Sequence, residues 1–69
     1  MDAAALLVLI ELINAATGAM TALQGVSKVI QQARDEGRDV TLDDLKALEL
    51  KDDESRQVLV DAIENAEDA

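Results

Sequence analysis

The run Asp52-Asp53-Glu54 is the densest group of chemically capable side chains in the sequence. Three neighbouring carboxylates raise the possibility of a hard-cation site. An EF-hand, however, needs acids at alternate positions, a central glycine and a distal glutamate. Here the acids are contiguous and stand just before an apolar stretch at helical spacing, so they read as a helix start with Asp52 or Asp53 as its cap. Ser27 and Ser55 are the available hydroxyl nucleophiles. Each would need a base, and the chain contains no His and no Cys, which removes the usual bases, thiol nucleophiles and soft metal ligands. No glycine-rich phosphate loop is present. The expectation is a non-enzymatic protein with no catalytic, cofactor-binding or metal residues and no cofactor.

The elements that carry these residues are bounded by composition. The chain has 69 residues, no Phe, Tyr, Trp or Pro, and net charge −9. A core must be built from Leu, Ile, Val, Ala and Met, which points to helix. A single domain this small is marginal and usually needs a staple. Without cysteines or zinc ligands, oligomerisation is the staple that remains. The charge is uneven. Residues 1–33 carry only Asp2, Glu11 and Lys28, whereas residues 34–69 carry thirteen acids against five bases. An acidic balance of this size opposes nucleic-acid phosphates and anionic lipid surfaces. Mimicry of DNA by the acids is disfavoured because Arg34, Arg38, Lys46, Lys51 and Arg56 are interspersed among them, as on a solvated face with internal pairs.

With Leu6 as heptad position a, the a and d positions run Leu6, Leu9, Ile13, Ala16, Met20, Leu23, Ser27 and Ile30. The unbroken 3,4 spacing places them on one face of a helix. A second seam at g and c contains Ala5, Val8, Leu12, Ala15, Ala19, Ala22, Val26, Val29 and Ala33. These two seams predict one long amphipathic helix over residues 3–35, about 45–50 Å in length at 1.5 Å per residue. A face that wide suits more than one neighbour, so a trimer or higher oligomer is expected over a dimer. The interface expected on it comprises Leu6, Leu9, Leu12, Ile13, Ala16, Met20, Leu23, Val26 and Ile30. Gly18 and Gly25 mark either a close contact on the third face or a bend.

Residues 36–41 read as a turn, with Gly37 suited to the left-handed position after a helix. Residues 42–66 form an acidic return arm of two short helices. The first is capped by Thr41 and has Leu42, Leu45 and Leu48 on its sticky side. The second places Val58, Leu59, Ala62, Ile63 and Ala66 at helical spacing, before a frayed tail at 67–69. The fold expected is all-α: a helical hairpin within a single domain that assembles into an oligomeric bundle or coiled coil. The arm is expected to cover the long helix near its C-terminal end and to leave Leu6 through Ile13 needing a partner.

The greasy start raises two further readings. A signal peptide has a basic first region, and here the first base is Lys28, so no signal peptide is expected. Residues 3–23 are long enough for a membrane span. Yet Glu11, Asn14, Thr17, Gly18 and Thr21 recur at helical spacing, without flanking bases or an aromatic belt. A small membrane-inserting, holin-like phage protein is therefore the alternative, not the main reading.

The run Ala33-Arg34-Asp35-Glu36-Gly37-Arg38-Asp39-Val40-Thr41, then Leu45, Ala47-Leu48, Asp52-Asp53, Arg56, Leu59 and Ala62-Ile63, resembles small uncharacterised helical proteins encoded in the structural regions of tailed bacteriophages. The resemblance covers residues 30–66 and rests mostly on turn and cap residues. It implies a virion or tail- or fibre-associated component, assembled in the host cytoplasm, that binds copies of itself, a larger phage structural protein, or both. It transfers no site residues.

Overall fold

Capping chemistry sets where each helix begins and ends. The computed structural model describes residues 1–15 and 19–68. Four helices occur among them: α1 (Ala3–Asn14), α2 (Ala19–Asp35), α3 (Leu42–Lys46) and α4 (Asp53–Asp68), with no strand. Asp2 caps α1, its Oδ1 accepting from the Ala5 amide at 2.8 Å. Thr41 caps α3 in a reciprocal box: its Oγ1 accepts from the Asp44 amide, while Asp44 Oδ2 accepts from the Thr41 amide at 2.9 Å. Asp52 caps α4, accepting from both the amide and the hydroxyl of Ser55 at 2.8 and 2.9 Å. That second bond satisfies Ser55, which is buried and would otherwise be an unpaired hydroxyl in the core.

Hydrogen bonds to the ionised form pull two of these carboxyls below their ordinary value. For Asp44 the main cause is the Thr41 amide, followed by the Arg38 guanidinium. For Asp52 it is the Ser55 amide, followed by the Ser55 hydroxyl. Arg38, held between Asp44 and Glu36, is raised by those bonds in that order.

At the end of α2, Gly37 has φ of 70°. Its amide donates to Arg34 O, and the Arg38 amide donates to Ala33 O. This pair of bonds is a Schellman cap, for which a residue without Cβ is best suited.

The expected single helix over residues 3–35 is not formed. Ala15 is extended, with φ −74° and ψ 141°, and its amide donates back to Leu12 O. The chain folds back there, and α2 starts at Ala19. Residues 16–18, including Ala16 and Gly18 of the expectations above, lie outside the described residues, as does Ala69.

Packing supplies the reason for the break. A straight helix would leave both apolar seams wet along most of its length. Folding back places the g/c seam inside instead. Ala5, Val8 and Leu12 from α1 and Ala22, Val26 and Ala33 from α2 are all buried, together with Val40, Leu45 of α3, and Leu59, Ala62, Ile63 and Ala66 of α4. Five of the nine residues of the g/c seam are alanines, small enough to let neighbouring helices pack against it.

The return arm therefore covers more of the N-terminal segment than expected. α1 packs more extensively on α4 than on any other element, and the Asp2 amide donates to Val40 O at 3.0 Å, tying the start of α1 to the turn before α3. The segment after α3 runs along α2 and lays Leu48 and Leu50 against Gly25, so Gly25 marks a close contact and not a bend. The longest dimension is 32 Å, shorter than the helix expected, and the radius of gyration is 11.0 Å. A globular chain of this length has a radius of gyration of about 11 Å, so the protein reaches ordinary compactness as one copy.

Candidate interaction surface

α1 is apolar on both sides. At 3.6 residues per turn, Ala5, Val8 and Leu12 share the inward face. Leu6, Ile10 and Ile13 fall on the opposite one, with Leu7 at its edge. Leu6 is 49% exposed, Ile10 44% and Ile13 64%. A helix that is hydrophobic all round is ordinarily buried all round; α1 is buried on one side only. Its single charge, Glu11, lies off this face toward α4, where Asn65 Nδ2 donates to Glu11 Oε2 at 3.5 Å.

Eight of the nine interface residues expected from the sequence lie among the described residues and divide into three groups. Leu6, Ile13 and Met20 are exposed, Met20 at 71%. Leu9, Leu23 and Ile30 are half-buried and pack against the core. Leu12 and Val26 are fully internal. For these two the expectation is corrected: they belong to the g/c seam, which the fold-back turns inward, so no surface remains on them to meet another chain. Ala16 lies outside the described residues. The outward seam is thus not the a/d seam first assigned. It runs through Leu6, Ile10 and Ile13, again at a spacing of 4 and 3.

Ile10 and Leu7 are the residues that seam counting missed. On the assigned register they fall at e and b, positions that are polar or small in every later heptad. The first heptad departs from that rule, with large hydrophobes at every position but f, which holds Glu11. That departure was the available signal that α1 has two faces to satisfy.

Chemical alternatives to an interaction surface are few. The depression between α1 and α4 is lined by Glu11, Asn14, Ala15, Val58, Asp61, Ala62 and Asn65. Its two carboxylates and two amides are open to water. Among the described residues, no group of three or more side chains stands together as metal ligands, and no buried side-chain polar atom lacks a partner. The acids at 52–54 do what the sequence suggested for Asp52: they start α4.

Searches of protein-family models, curated proteins and solved structures return no match to this chain. Its function must be argued from its own surface. No helix among the described residues is long and apolar enough to cross a membrane. α1, at twelve residues, is about 18 Å long, against a hydrocarbon core of about 30 Å. The element required by the holin-like alternative, one helix through residues 3–23, is interrupted at Ala15.

Proposed function

We propose that this chain is a non-catalytic assembly protein that docks helix against helix through the outward face of α1. One observation carries the reading: Leu6, Ile10 and Ile13 form an uncharged seam on a helix whose other side already belongs to the core. Hydrophobic patches of this kind mark sites of protein contact. Leu6, Leu7, Ile10 and Ile13 together expose the equivalent of roughly two whole side chains. Covering them is worth about 3–6 kcal/mol per copy at ~1.5–3 kcal/mol per side chain. Association itself costs about 4–15 kcal/mol. The balance favours a concentration-dependent contact formed by an already folded protein, not an obligate oligomer. The wide face that favoured a trimer or higher has narrowed to one outward seam, because the second seam is spent on the core. The resemblance over residues 30–66 supports a setting in a phage particle, at a tail or fibre attachment, with a larger structural protein or a further copy as the partner.

A photo-crosslinking amino acid placed at Ile10, in cells making the protein at its natural level, tests the reading. Adducts to protein should form from position 10 and not from Glu54, an exposed site at the start of α4. Equal adducts from both positions, or none from position 10, would sink the proposal.

A further inference from the structure

Resting on the assembly reading above, we infer that the occupant of the outward α1 face is α1 of a second copy, packed antiparallel about a two-fold axis near Ile10. The seam itself supplies the first argument. Leu6 lies four residues before Ile10 and Ile13 three residues after it, so the stripe is nearly symmetric about its centre. An isologous contact requires such a self-complementary patch. Reversing the direction of one helix sets Leu6 against Ile13 of the partner subunit and Ile10 against Ile10 of the partner subunit.

Charge supplies the second argument. Each copy carries −9, and thirteen of its fifteen acids lie after residue 33. Approach through α3 or α4 would bring carboxylates together. A basic partner would be drawn to those same elements and away from α1. The α1 face is where two identical acidic chains can meet at the least electrostatic cost, and an uncharged seam is complementary to another uncharged seam. The antiparallel direction also opposes the two helix dipoles. Area supplies the third. Leu6, Leu7, Ile10 and Ile13 expose the equivalent of roughly two whole side chains, well below the roughly 800 Å² per partner of a stable complex, so the dimer exchanges with monomer.

The chain has no cysteine, which makes a direct test available. Three variants each introduce one thiol on the exposed seam: Leu6→Cys, Ile10→Cys and Ile13→Cys. A fourth, Val60→Cys, places one on α4, where Val60 is also exposed. Circular dichroism verifies that each variant keeps its helix content. In a glutathione redox buffer, Ile10→Cys should form a disulfide dimer about tenfold or more faster than Val60→Cys, because a preformed pair raises the effective thiol concentration. A mixture of Leu6→Cys and Ile13→Cys should give mainly the mixed dimer, since bridged Cα atoms must lie within about 7 Å. Faster self-linking of Leu6→Cys than of the mixture would overturn the antiparallel pairing. Linking of Val60→Cys at the rate of Ile10→Cys, or no dimer from any variant, would overturn the self-contact. If these dimers fail while the photo-adducts at position 10 contain a different protein, only this inference falls; if position 10 yields no adduct either, the assembly reading falls with it.

Discussion

At Gly25, an added Cβ would stand 3.0 Å from Leu48 Cδ2 and 3.1 Å from Leu50 Cδ2. Two effects compete there. Alanine in a helix gains about 1 kcal/mol over glycine, while pushing methyl groups in a filled space costs about 1–3 kcal/mol. The obstructing atoms are the ends of flexible side chains, so Gly25→Ala should change stability by no more than about 1 kcal/mol, whereas Gly25→Val should lose about 2 kcal/mol or more as the 48–50 segment is lifted. Urea titration of both variants checks this; equal losses would show that the leucines cannot yield. A second contrast separates the two faces of α1. Leu12 is fully buried, and Leu12→Ala should cost about 2–5 kcal/mol, a large share of the roughly 3–10 kcal/mol available to a domain of this size. Leu6 is about half exposed, so Leu6→Ala, dilute enough to be monomeric, should cost only about 1 kcal/mol. Similar losses from both would mean that the inward and outward faces are misassigned. Neither contrast could be read from the sequence. Leu6 and Leu12 are the same residue type within two turns of one another, and only the third dimension tells which one meets α4.

At the scale of elements, the caps were legible and the long helix was not. Thr41, Asp52 and Gly37 act locally: each bonds to backbone within five residues, so the signal lies in the sequence around them. The break at Ala15 has no such signal. It is not forced by proline, and heptad spacing continues across it because both halves use the same seam against a common core. Periodicity reports which side of a helix is apolar, not whether the helix continues. Choosing between one helix of about 33 residues and two shorter ones requires knowing that α4 can fill the angle between them, which is a non-local fact. Gly37 allows this level to be tested. Its φ of 70° is unfavourable for a side chain with Cβ by roughly 1–2 kcal/mol, so Gly37→Ala should lower stability by about that amount, and Gly37→Asn by less, since Asn visits this region more readily. Open space around the position means that the loss measures backbone conformation alone. If Gly37→Ala proved neutral in chemical denaturation, the Schellman turn would contribute nothing to holding α2 against α3.

For the whole molecule, pH and salt act on two separate properties, and the signs differ. Asp44 and Asp52 have folded-state values below their ordinary 3.8. A depressed carboxyl adds stability that is fully present above its unfolded value and is lost as pH falls through the folded value. The caps of α3 and α4 therefore weaken only below about pH 3.8, and Asp52→Ala should narrow its stability gap to the parent in that acid range. Self-association follows net charge instead. The sequence pI is near 4.1, so between pH 7 and that value the repulsion between copies declines while the caps remain ionised. Salt isolates the same term without touching protonation. Raising ionic strength from 0.01 to 1 M shortens the screening length from about 30 to about 3 Å. For two chains of −9 joined through an uncharged seam, screening removes repulsion and leaves the attraction intact. Sedimentation equilibrium at pH 7 should accordingly show tighter self-association at high salt, and Ile10→Gln should abolish the association at both salts while leaving the helix content unchanged. Weaker association at high salt would show that opposite charges hold the copies together, and would move the contact from α1 to the acidic elements and their interspersed bases.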